Sequence, residues 1–595
     1  MSARPTTTAR VVRGAAGLAA VAVGVFLALR PLTTLQVTVW AAAAALVVWA
    51  AVLVRGARGR AWPWLAAAGL AAAAVALVVF TPEVVRAYPV LLAAALALNG
   101  VRLLVRALRP DRATTPKASR AGAVTDRITD GVLAAANIAA AVLVWLWPDV
   151  GLLLLAWVVA AAVAVTGLRL VWRALRPAPR RREPQHRARR PALRRAGRVT
   201  GAVLAAAVAV AASLGSAWVF ARVAPIDDFY TWTSPVPTQP GELLRVAAYD
   251  GEAPAGATGL RILYSTTRAD GSAAVASAVV ALPTAPAPSE GRTLLAWQHG
   301  TTGVARSCAP SLRANALSEH AIPGISRMID RGWAIVATDY PGMGTAGRYP
   351  YLIGAGEGQA TLDGLRALRQ VDDAHASNRV MLWGHSQGGH ATLWAAQIAA
   401  DYAPDLDVVG VAALSSATDP LAVSKLIIEG PASALVNAVT SYVVVPYADE
   451  YPDLTLIGLT HPAGSVFADA AASRCATDRG TLVTLLVTLG LGGRDHLYDL
   501  DLDAGPVHDR LAQNIATAIV PAPLYLGQGV DDEVVSIDIQ RTTDARVCAA
   551  GKPVETHEYP GRDHMGVIAQ GSPLIDDLFV WADRVTAGEA PSTCS

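Results

Sequence analysis

Apolar residues concentrate in the first 222 residues of this 595-residue chain, and few folds accept such a composition. That part consists mainly of Ala, Val and Leu with scattered Arg, whereas residues 225–595 have the composition of an ordinary globular domain. A helix that crosses a bilayer needs about 20 consecutive apolar residues. Seven stretches meet this requirement, at approximately residues 11–29, 36–54, 62–80, 87–105, 129–147, 150–168 and 199–220. The sequence therefore predicts an α-helical transmembrane bundle of about seven spans, followed by a globular domain.

Basic residues fall in alternate loops between the apolar stretches. They are frequent before the first stretch and after the second, the fourth and the sixth, and they are rare in the other loops. Cytoplasmic loops of membrane proteins carry such an excess of Lys and Arg. The pattern predicts a cytoplasmic N-terminus, and an odd number of spans then places residues 225–595 outside the cell.

Residues 1–176 are interpreted as a six-span membrane domain of three helical hairpins, because each consecutive pair of stretches is joined by a short turn with proline. The second and third pairs end alike, in Arg-Ala-Leu-Arg-Pro at 106–110 and at 173–177. This part loosely resembles the repeated-hairpin membrane proteins of the acid-resistance type, a similarity of composition that implies no chemistry. Its notable polar side chains, Asn99 and Asn137, are expected to bond across helices.

The basic residues 177–198 are predicted to form a cytoplasmic linker, and residues 199–222 to form the seventh transmembrane helix. This helix also has the basic flank and apolar core of a signal peptide. Anchoring of the following domain is the favoured interpretation. Its release by cleavage near Ala221 is the alternative.

All four cysteines lie in the second part of the chain, at Cys308, Cys475, Cys548 and Cys594. An even number confined to one domain predicts two disulfides and an exported location, with four unrelated buried thiols as the alternative. The exported location agrees with the orientation inferred from the basic loops. The net charge of +3 points neither to nucleic acid nor to an acidic partner.

A short motif in the second part predicts a catalytic serine. Residues 384–388, Gly-His-Ser-Gln-Gly, fit G-x-S-x-G, a turn that holds a nucleophile between a strand and a helix. An apolar run at 380–383 supplies the strand, and residues 391–400 supply the helix. The flanking glycines are needed because a side chain there would clash with the neighbouring elements. Ser386 is the predicted nucleophile, and a glycine-rich turn without catalytic function is the alternative.

Predicted strands alternate with helical patterns in this part, notably a helix at 357–374. The strands are expected at residues 243–248, 259–266, 273–282, 294–298, 333–337, 380–383, 408–414, 523–526 and 554–559. This alternation predicts a mostly parallel, doubly wound sheet, which with the serine motif indicates an α/β-hydrolase domain. Such sheets carry their chemistry at the carboxyl ends of the strands.

A serine nucleophile needs a base and an orienting acid, and in this fold the acid precedes the histidine along the chain. Asp532 follows a predicted strand and is the expected acid. Asp531 and Glu533 are the alternatives, which would otherwise be solvated turn residues. His564 follows the last strand and is the expected base.

Three further histidines lie near these motifs. His557 is on the last strand and is expected to be structural, whereas His385 and His390 flank the nucleophile and should point away from it. An oxyanion would need two backbone N–H donors. The sequence predicts one from Gln387 and the other from Gly300 or Thr301.

The motifs together resemble the secretory lipase family of α/β-hydrolases. They are Gln-His-Gly-Thr-Thr-Gly at 298–303, Cys-Ala-Pro-Ser at 308–311 and Gly-His-Ser-Gln-Gly-Gly at 384–389, and the similarity extends from about Phe229 to the C-terminus. It implies a triacylglycerol lipase or carboxylesterase that uses the three residues above.

The same resemblance implies the disulfides Cys308–Cys475 and Cys548–Cys594. It also implies a largely helical lid, for which residues 418–515 form a long insertion in the appropriate place. The seven-span first part departs from the family, whose members normally carry a simple signal peptide.

The sequence thus predicts a membrane-anchored serine hydrolase that acts on lipid or other esters. An acyltransferase or peptidase of the same fold is one alternative, and a non-catalytic, lipid-binding membrane scaffold is another. No cofactor or metal is predicted, since the sequence contains neither H-E-x-x-H nor a Walker A loop. No nucleic-acid partner is expected, and the oligomeric state is left open.

Overall fold

A computed structural model describes residues 7–57, 61–109, 117–176, 190–347, 349–429, 433–491 and 497–594. The chain divides into two compact units. The first, called the helical unit, comprises Met1–Arg222, Thr460–Ala470 and Leu482–Asp499. The second, called the sheet unit, comprises Val223–Leu459, Ala471–Thr481 and Leu500–Ser595.

Seven long helices make up most of the helical unit. They are α1 Thr7–Ala28, α2 Pro31–Arg55, α3 Trp62–Val79, α4 Thr81–Leu108, α5 Lys117–Leu146, α6 Pro148–Leu175 and α7 Arg190–Phe220. Each is long and apolar enough, by length and composition, to cross a bilayer. Each predicted stretch coincides with one of these helices. Helix α7 begins within the predicted linker, and residues 177–189 of that linker lie outside the described residues.

Small residues allow α1 and α6 to approach closely. A side-chain carbon added at Gly17 would lie 2.8 Å from the carbonyl oxygen of Gly167, and one at Gly24 would lie 2.7 Å from the Cβ of Ala164. Where every surface is apolar, such close backbone contact selects the partner of a helix. The α1–α6 pair is therefore specified by its glycines.

The short proline-containing turns are present, but the main helix contacts differ from the predicted hairpins. Helix α1 packs along α6, α2 along α3, and α5 along both α4 and α7. Only one residue separates α3 from α4 and α5 from α6. Neighbouring antiparallel helices usually need two to five connecting residues, so such tight turns leave the joined helices splayed. Across the α4–α5 pair, Asn99 donates to Asn137 at 3.1 Å, which confirms the expected bond between helices.

The sheet unit is built around nine strands. They are β1 Leu243–Ala248, β2 Ala257–Thr267, β3 Ala273–Pro283, β4 Arg292–Gln298, β5 Ala334–Thr338, β6 Ala376–His385, β7 Asp407–Leu414, β8 Leu524–Gly529 and β9 Val554–Tyr559. Their order is β1-β2-β3-β5-β4-β6-β7-β8-β9. The pairings from β5 through β4 to β9 are parallel, and those of β1, β2, β3 and β5 are antiparallel. The predicted mostly parallel sheet is confirmed.

Helices lie between the strands of this sheet along the chain and after the last of them. They are α8 Ile325–Asp330, α9 Gly354–Leu368, α10 Gln387–Tyr402, α11 Pro420–Glu429, α12 Ala434–Glu450, α13 Gly464–Ala472, α14 Gly480–Gly490, α15 Gly505–Gln513, α16 Ile537–Ala549 and α17 Pro573–Thr586. The predicted helix at 357–374 corresponds to α9, which ends earlier. Helices α11 to α15 all lie in the long insertion between β7 and β8.

Two apolar clusters cover the two faces of the sheet. Leu365 of α9 and Leu393 of α10 pack on one face. Met328 of α8 and Phe579 of α17 pack on the other. Because both faces are covered, the central strands are continuous apolar runs, as at Val380–Trp383, whose side chains are fully buried.

Both disulfides implied by the family resemblance are present. Cys308 is bonded to Cys475, and Cys548 is bonded to Cys594. The alternative of four unrelated thiols is therefore wrong. The first bond joins the loop after β4 to the insertion between β7 and β8.

Candidate active site

The site lies where the direction of the sheet's connections reverses. From β4 the chain continues to β5 on one side, and from β6 it continues to β7 on the other. Ligands of open parallel sheets bind at the carboxyl ends of strands at such a point. Gly300 follows β4 here and Ser386 follows β6.

Ser386 occupies a strained turn between β6 and α10. Its φ of 58° and ψ of −122° are unfavourable for any residue with a Cβ. The glycines on either side are required by packing. A side-chain carbon at Gly384 would clash with the carbonyl of Gly388, and one at Gly388 would clash with the carbonyl of Gln298. The local sequence therefore fixes the serine in a rigid turn, where its hydroxyl borders the cavity.

The structure brings together the three side chains that the sequence predicts as nucleophile, base and acid. His564 Nε2 lies 2.9 Å from the Oγ of Ser386. His564 Nδ1 lies 2.8 Å from Oδ2 and 3.0 Å from Oδ1 of Asp532. An ionised carboxylate only accepts, so Nδ1 carries the proton and Nε2 of the neutral imidazole is free to accept from the serine.

Asp532 is held as a carboxylate by its donors. The amides of Val534 and Val535 donate to Oδ1 at 2.9 and 2.8 Å. Gln528 Nε2 donates to Oδ2 at 2.9 Å. Burial opposes ionisation, but the hydrogen bond from His564 and the backbone donors outweigh it and lower the pKa of Asp532. A lowered pKa keeps the negative charge in place beside the imidazole.

The two alternative acids have different surroundings. Glu533 accepts from the backbone N of His564 at 3.3 Å rather than from its ring. The backbone N of Asp531 donates to the carbonyl of Arg562. Among the described residues neither carboxylate is bonded to the imidazole of His564, whereas that of Asp532 is.

His385 is hydrogen-bonded to the main chain of His564, a contact that the sequence did not reveal. Its Nε2 donates to the carbonyl oxygen of His564 at 2.9 Å, and the two rings are 4.8 Å apart. Burial, with the charge of His564 as a smaller cause, lowers the pKa of His385 to about 3. A neutral ring in this position holds the loop of His564 without competing for the serine proton.

Candidate oxyanion donors surround the serine. Gln387 is the first residue of α10, where a backbone N–H has no acceptor within its own helix. A side-chain carbon added at Gly300 would lie 3.6 Å from the Cβ of Ser386, so this loop borders the nucleophile directly. Thr301 is held nearby by a 2.6 Å hydrogen bond between its hydroxyl and that of Tyr351.

A buried carboxylate network, which sequence reasoning missed, holds the side chain of Gln387. Gln387 Nε2 donates to Oε1 of Glu357 at 2.7 Å, and the amide of Leu352 donates to the same oxygen at 2.9 Å. The ring of His390 lies 3.1 Å from Oε2 through Nδ1. Burial raises the pKa of Glu357, and the hydrogen bond from His390 offsets only part of this rise.

Proton positions in this network follow from its acceptors. His390 Nε2 lies 2.8 Å from the carbonyl oxygen of Asn514, which can only accept, so Nε2 carries a proton. One further proton is then shared between Nδ1 of His390 and the carboxyl of Glu357. As expected, His390 points away from the serine, toward this network.

An apolar cavity of about 600 Å³ opens at Ser386 and His564. The insertion between β7 and β8 supplies much of its wall through α11, α12 and α15. Side chains from these helices include Val423, Ile427, Val443 and Leu511. A space of this size and character is typical of a site for a largely apolar small molecule.

Comparisons with known proteins relate this chain to lipases. Residues 317–589 match the family described as secretory lipase. A probable inactive lipase of Mycobacterium tuberculosis is 27% identical over 359 residues, which cover 56% of this chain and 76% of that protein. Lipase A of Moesziomyces aphidis is 31% identical over 230 residues, which cover 36% of this chain and 48% of that lipase.

A solved structure shows the same fold. The crystal structure of Candida antarctica lipase A in its closed state is similar with a TM-score of 0.52 and 22% identity, covering 62% of this chain and 87% of that one. The sheet unit therefore has a lipase-like α/β-hydrolase fold. The match to the secretory lipase family and the similarity to lipase A of Moesziomyces aphidis support the hydrolysis of carboxylic esters.

Proposed function

We propose that this chain hydrolyses lipid esters, with Ser386 as nucleophile, His564 as general base and Asp532 as orienting acid. The observation that carries the proposal is the 2.9 Å approach of His564 Nε2 to Ser386 Oγ at the floor of an apolar cavity. The hydrogen bond between His564 Nδ1 and Asp532 supports the same proposal, because it fixes the tautomer that a general base needs. A non-catalytic, lipid-binding scaffold, the alternative considered above, would not need Ser386, His564 and Asp532 to be hydrogen-bonded in a row.

The proposed reaction follows from the proton positions. Nε2 of His564 takes the hydroxyl proton as Oγ attacks the ester carbonyl, and Asp532 stabilises the imidazolium that forms. Collapse of the tetrahedral intermediate expels the alcohol, which receives the proton from Nε2. Water then repeats the sequence on the acyl-enzyme and releases the acid.

The oxyanion of each tetrahedral intermediate is proposed to bind backbone N–H groups. Gln387 supplies one from the start of α10, and Gly300 or Thr301 supplies the other. Each such donor typically lowers the barrier by about 3 kcal/mol. The apolar cavity would hold the acyl chain, which favours lipid esters over peptides.

We further propose that the seven helices anchor the enzyme in the cell membrane with its N-terminus in the cytoplasm and the catalytic domain outside. The basic segment at 177–198 would link the sixth and seventh spans in the cytoplasm. Residues 418–515 would act as a lid, because their helices form the cavity wall. The disulfides support an oxidising exterior.

A fluorophosphonate probe tests the proposal directly. Full-length chain reconstituted in vesicles is expected to be labelled on the peptide that contains Ser386, and a nitrophenyl acyl ester should compete for labelling. Turnover of that ester with and without added glycerol distinguishes hydrolysis from acyl transfer. Folded protein that neither reacts with the probe nor cleaves the ester would refute the proposal.

Replacement of Glu357 should separate a charged role from a positioning role. In Glu357→Gln the amide oxygen can still accept from Gln387 and Leu352, and the new NH₂ can donate to Nδ1 of a neutral His390. We expect this variant to retain nearly normal kcat and stability. In Glu357→Ala those donors lose their acceptor, which should lower the free energy of unfolding by about 3–5 kcal/mol and kcat by about tenfold.

Urea unfolding and steady-state kinetics on a soluble ester check this prediction. A displaced Gln387 should reduce kcat with little change in KM, since the oxyanion forms only after binding. A normal kcat in Glu357→Ala would show that the network does not position the oxyanion donor.

A further inference from the structure

Helix α14 carries an exposed apolar face that the proposed reaction does not use. Its sequence from Gly480 to Gly490 contains no charged residue. Leu482, Leu486 and Leu489 are 52%, 68% and 62% exposed. Spacings of four and three residues place them on one side of the helix. Large exposed apolar faces mark surfaces that contact another molecule or a membrane.

The opposite side of α14 is packed. Thr484, Val487 and Thr488 are buried. The hydroxyl of Thr488 donates to the carbonyl of Thr484 at 2.8 Å, so its polar group is satisfied within the helix. The helix thus presents apolar side chains outward and places its hydroxyl groups inward, the reverse of a helix that faces water.

The C-terminal end of α14 packs against one of the candidate membrane spans. Residues 482–490 of α14 lie in the segment Leu482–Asp499 of the helical unit. A side-chain carbon added at Gly490 would lie 2.6 Å from the Cδ2 of Leu153 and 3.4 Å from Trp157, both on α6. These residues are the fifth and ninth after the start of α6 at Pro148, so they lie roughly 7–14 Å along its axis.

This contact lies within the apolar part of α6 and far from its basic end. Arg169, Arg173 and Arg176 are near the opposite end of that helix. On the same stretch of α6, Leu154 and Val158 are exposed in the same way as the leucines of α14. Helix α14 therefore packs against the apolar part of a candidate membrane span, and both helices carry exposed apolar side chains.

We propose that α14 lies in the outer leaflet of the bilayer, where Leu482, Leu486 and Leu489 contact lipid acyl chains. This inference rests on the proposed membrane placement of α1–α7. With 11 residues, α14 is roughly 16 Å long and cannot cross a hydrocarbon core of about 30 Å. It is an interfacial helix attached to the bundle rather than an eighth span.

The residues just before α14 in the chain line the apolar cavity, which relates the placement of α14 to the proposed reaction. Ala476 and Thr477 line the apolar cavity, and α14 begins three residues after Thr477. Cys475, immediately before them, is tied by its disulfide to the loop after β4. An outer-leaflet α14 is therefore joined through a few residues of chain to two residues of the cavity wall, and esters dissolved in that leaflet are the substrates that we expect this site to take.

Photo-crosslinking in phosphatidylcholine vesicles tests the placement with the full chain. The variants are Leu486→p-benzoylphenylalanine on α14, Trp49→p-benzoylphenylalanine on α2 and Val580→p-benzoylphenylalanine on α17. The three native side chains are similarly exposed, at 68%, 57% and 60%. We expect lipid adducts at positions 486 and 49 and none at position 580.

Each other outcome overturns the inference. Lipid at position 49 but none at 486, or a crosslink from 486 to a second copy of the chain instead of lipid, shows that the leucines of α14 do not contact acyl chains. If neither position 486 nor position 49 is crosslinked to lipid, the membrane placement is wrong, and this inference is wrong with it. Because crosslinking needs no turnover, fluorophosphonate labelling of the same samples reports independently on the proposed reaction.

Discussion

Ser386→Ala is expected to lower kcat for ester hydrolysis by about 10⁶-fold, the scale seen when a serine nucleophile is removed from a triad. The reason is that no other hydroxyl among the described residues is bonded to Nε2 of His564. Fluorophosphonate labelling should be lost to the same extent. The measurement is a nitrophenyl ester assay on full-length chain, with the residual rate compared with the buffer rate.

Ser415→Ala is the matched control. Ser415 is also buried, also follows a parallel strand and also has a positive φ, of 41°, but it is bonded through its backbone to β8 rather than to the base. Its replacement should leave kcat within a few-fold of normal. Loss of activity in both variants, or in neither, would contradict the assignment of the nucleophile.

Urea unfolding of the same variants distinguishes the loss of a nucleophile from the loss of the fold. Alanine keeps the Cβ and therefore the strain at φ 58°, so Ser386→Ala should unfold at nearly the same urea concentration as the normal protein. Ser386→Gly relieves the strain and should raise the free energy of unfolding by about 1 kcal/mol while remaining inactive. If Ser386 is the proposed nucleophile, this strain has a function, since the turn directs the hydroxyl toward His564.

The parts of this fold that sequence reasoning found are those set by local patterns. The buried strands are apolar runs such as Val380–Trp383, and the serine turn needs glycines at fixed positions beside it. Asp532 and His564 follow predicted strands, and parallel strands bring their carboxyl ends to one edge. Residues far apart in sequence could thus be placed together without knowing their contacts.

The parts that were missed depend on contacts with no local signature. Glu357 reaches Gln387 only because α9 and α10 pack side by side on one face of the sheet. The available signal was a carboxylate among the buried positions of α9, which needs a buried partner. In the helical unit the helices are apolar on all sides, so they have no amphipathic face that would indicate which helix packs against which. The α1–α6 contact instead depends on Gly17 and Gly167, and the periodicity of the sequence could not predict it.

Asp532→Asn is expected to lower kcat by about 10⁴-fold, because the substitution reverses the imidazole tautomer. The amides of Val534 and Val535 donate to one carboxylate oxygen, so the asparagine oxygen must take that position. Its NH₂ then occupies the other position and donates to Nδ1 of His564. The ring proton moves to Nε2, which can no longer accept the proton of Ser386.

Asp531→Asn and Glu533→Gln provide controls of matched chemistry at the adjacent positions. Both should retain kcat within a few-fold, since neither carboxylate is bonded to the ring of His564 among the described residues. The tautomer itself can be read from the ¹⁵N shifts of His564 in Asp532→Asn, which should show a protonated Nε2. A normal kcat in Asp532→Asn, or a 10⁴-fold loss in either control, would place the orienting acid elsewhere, because only the residue that fixes the Nδ1 proton can have an effect of that size.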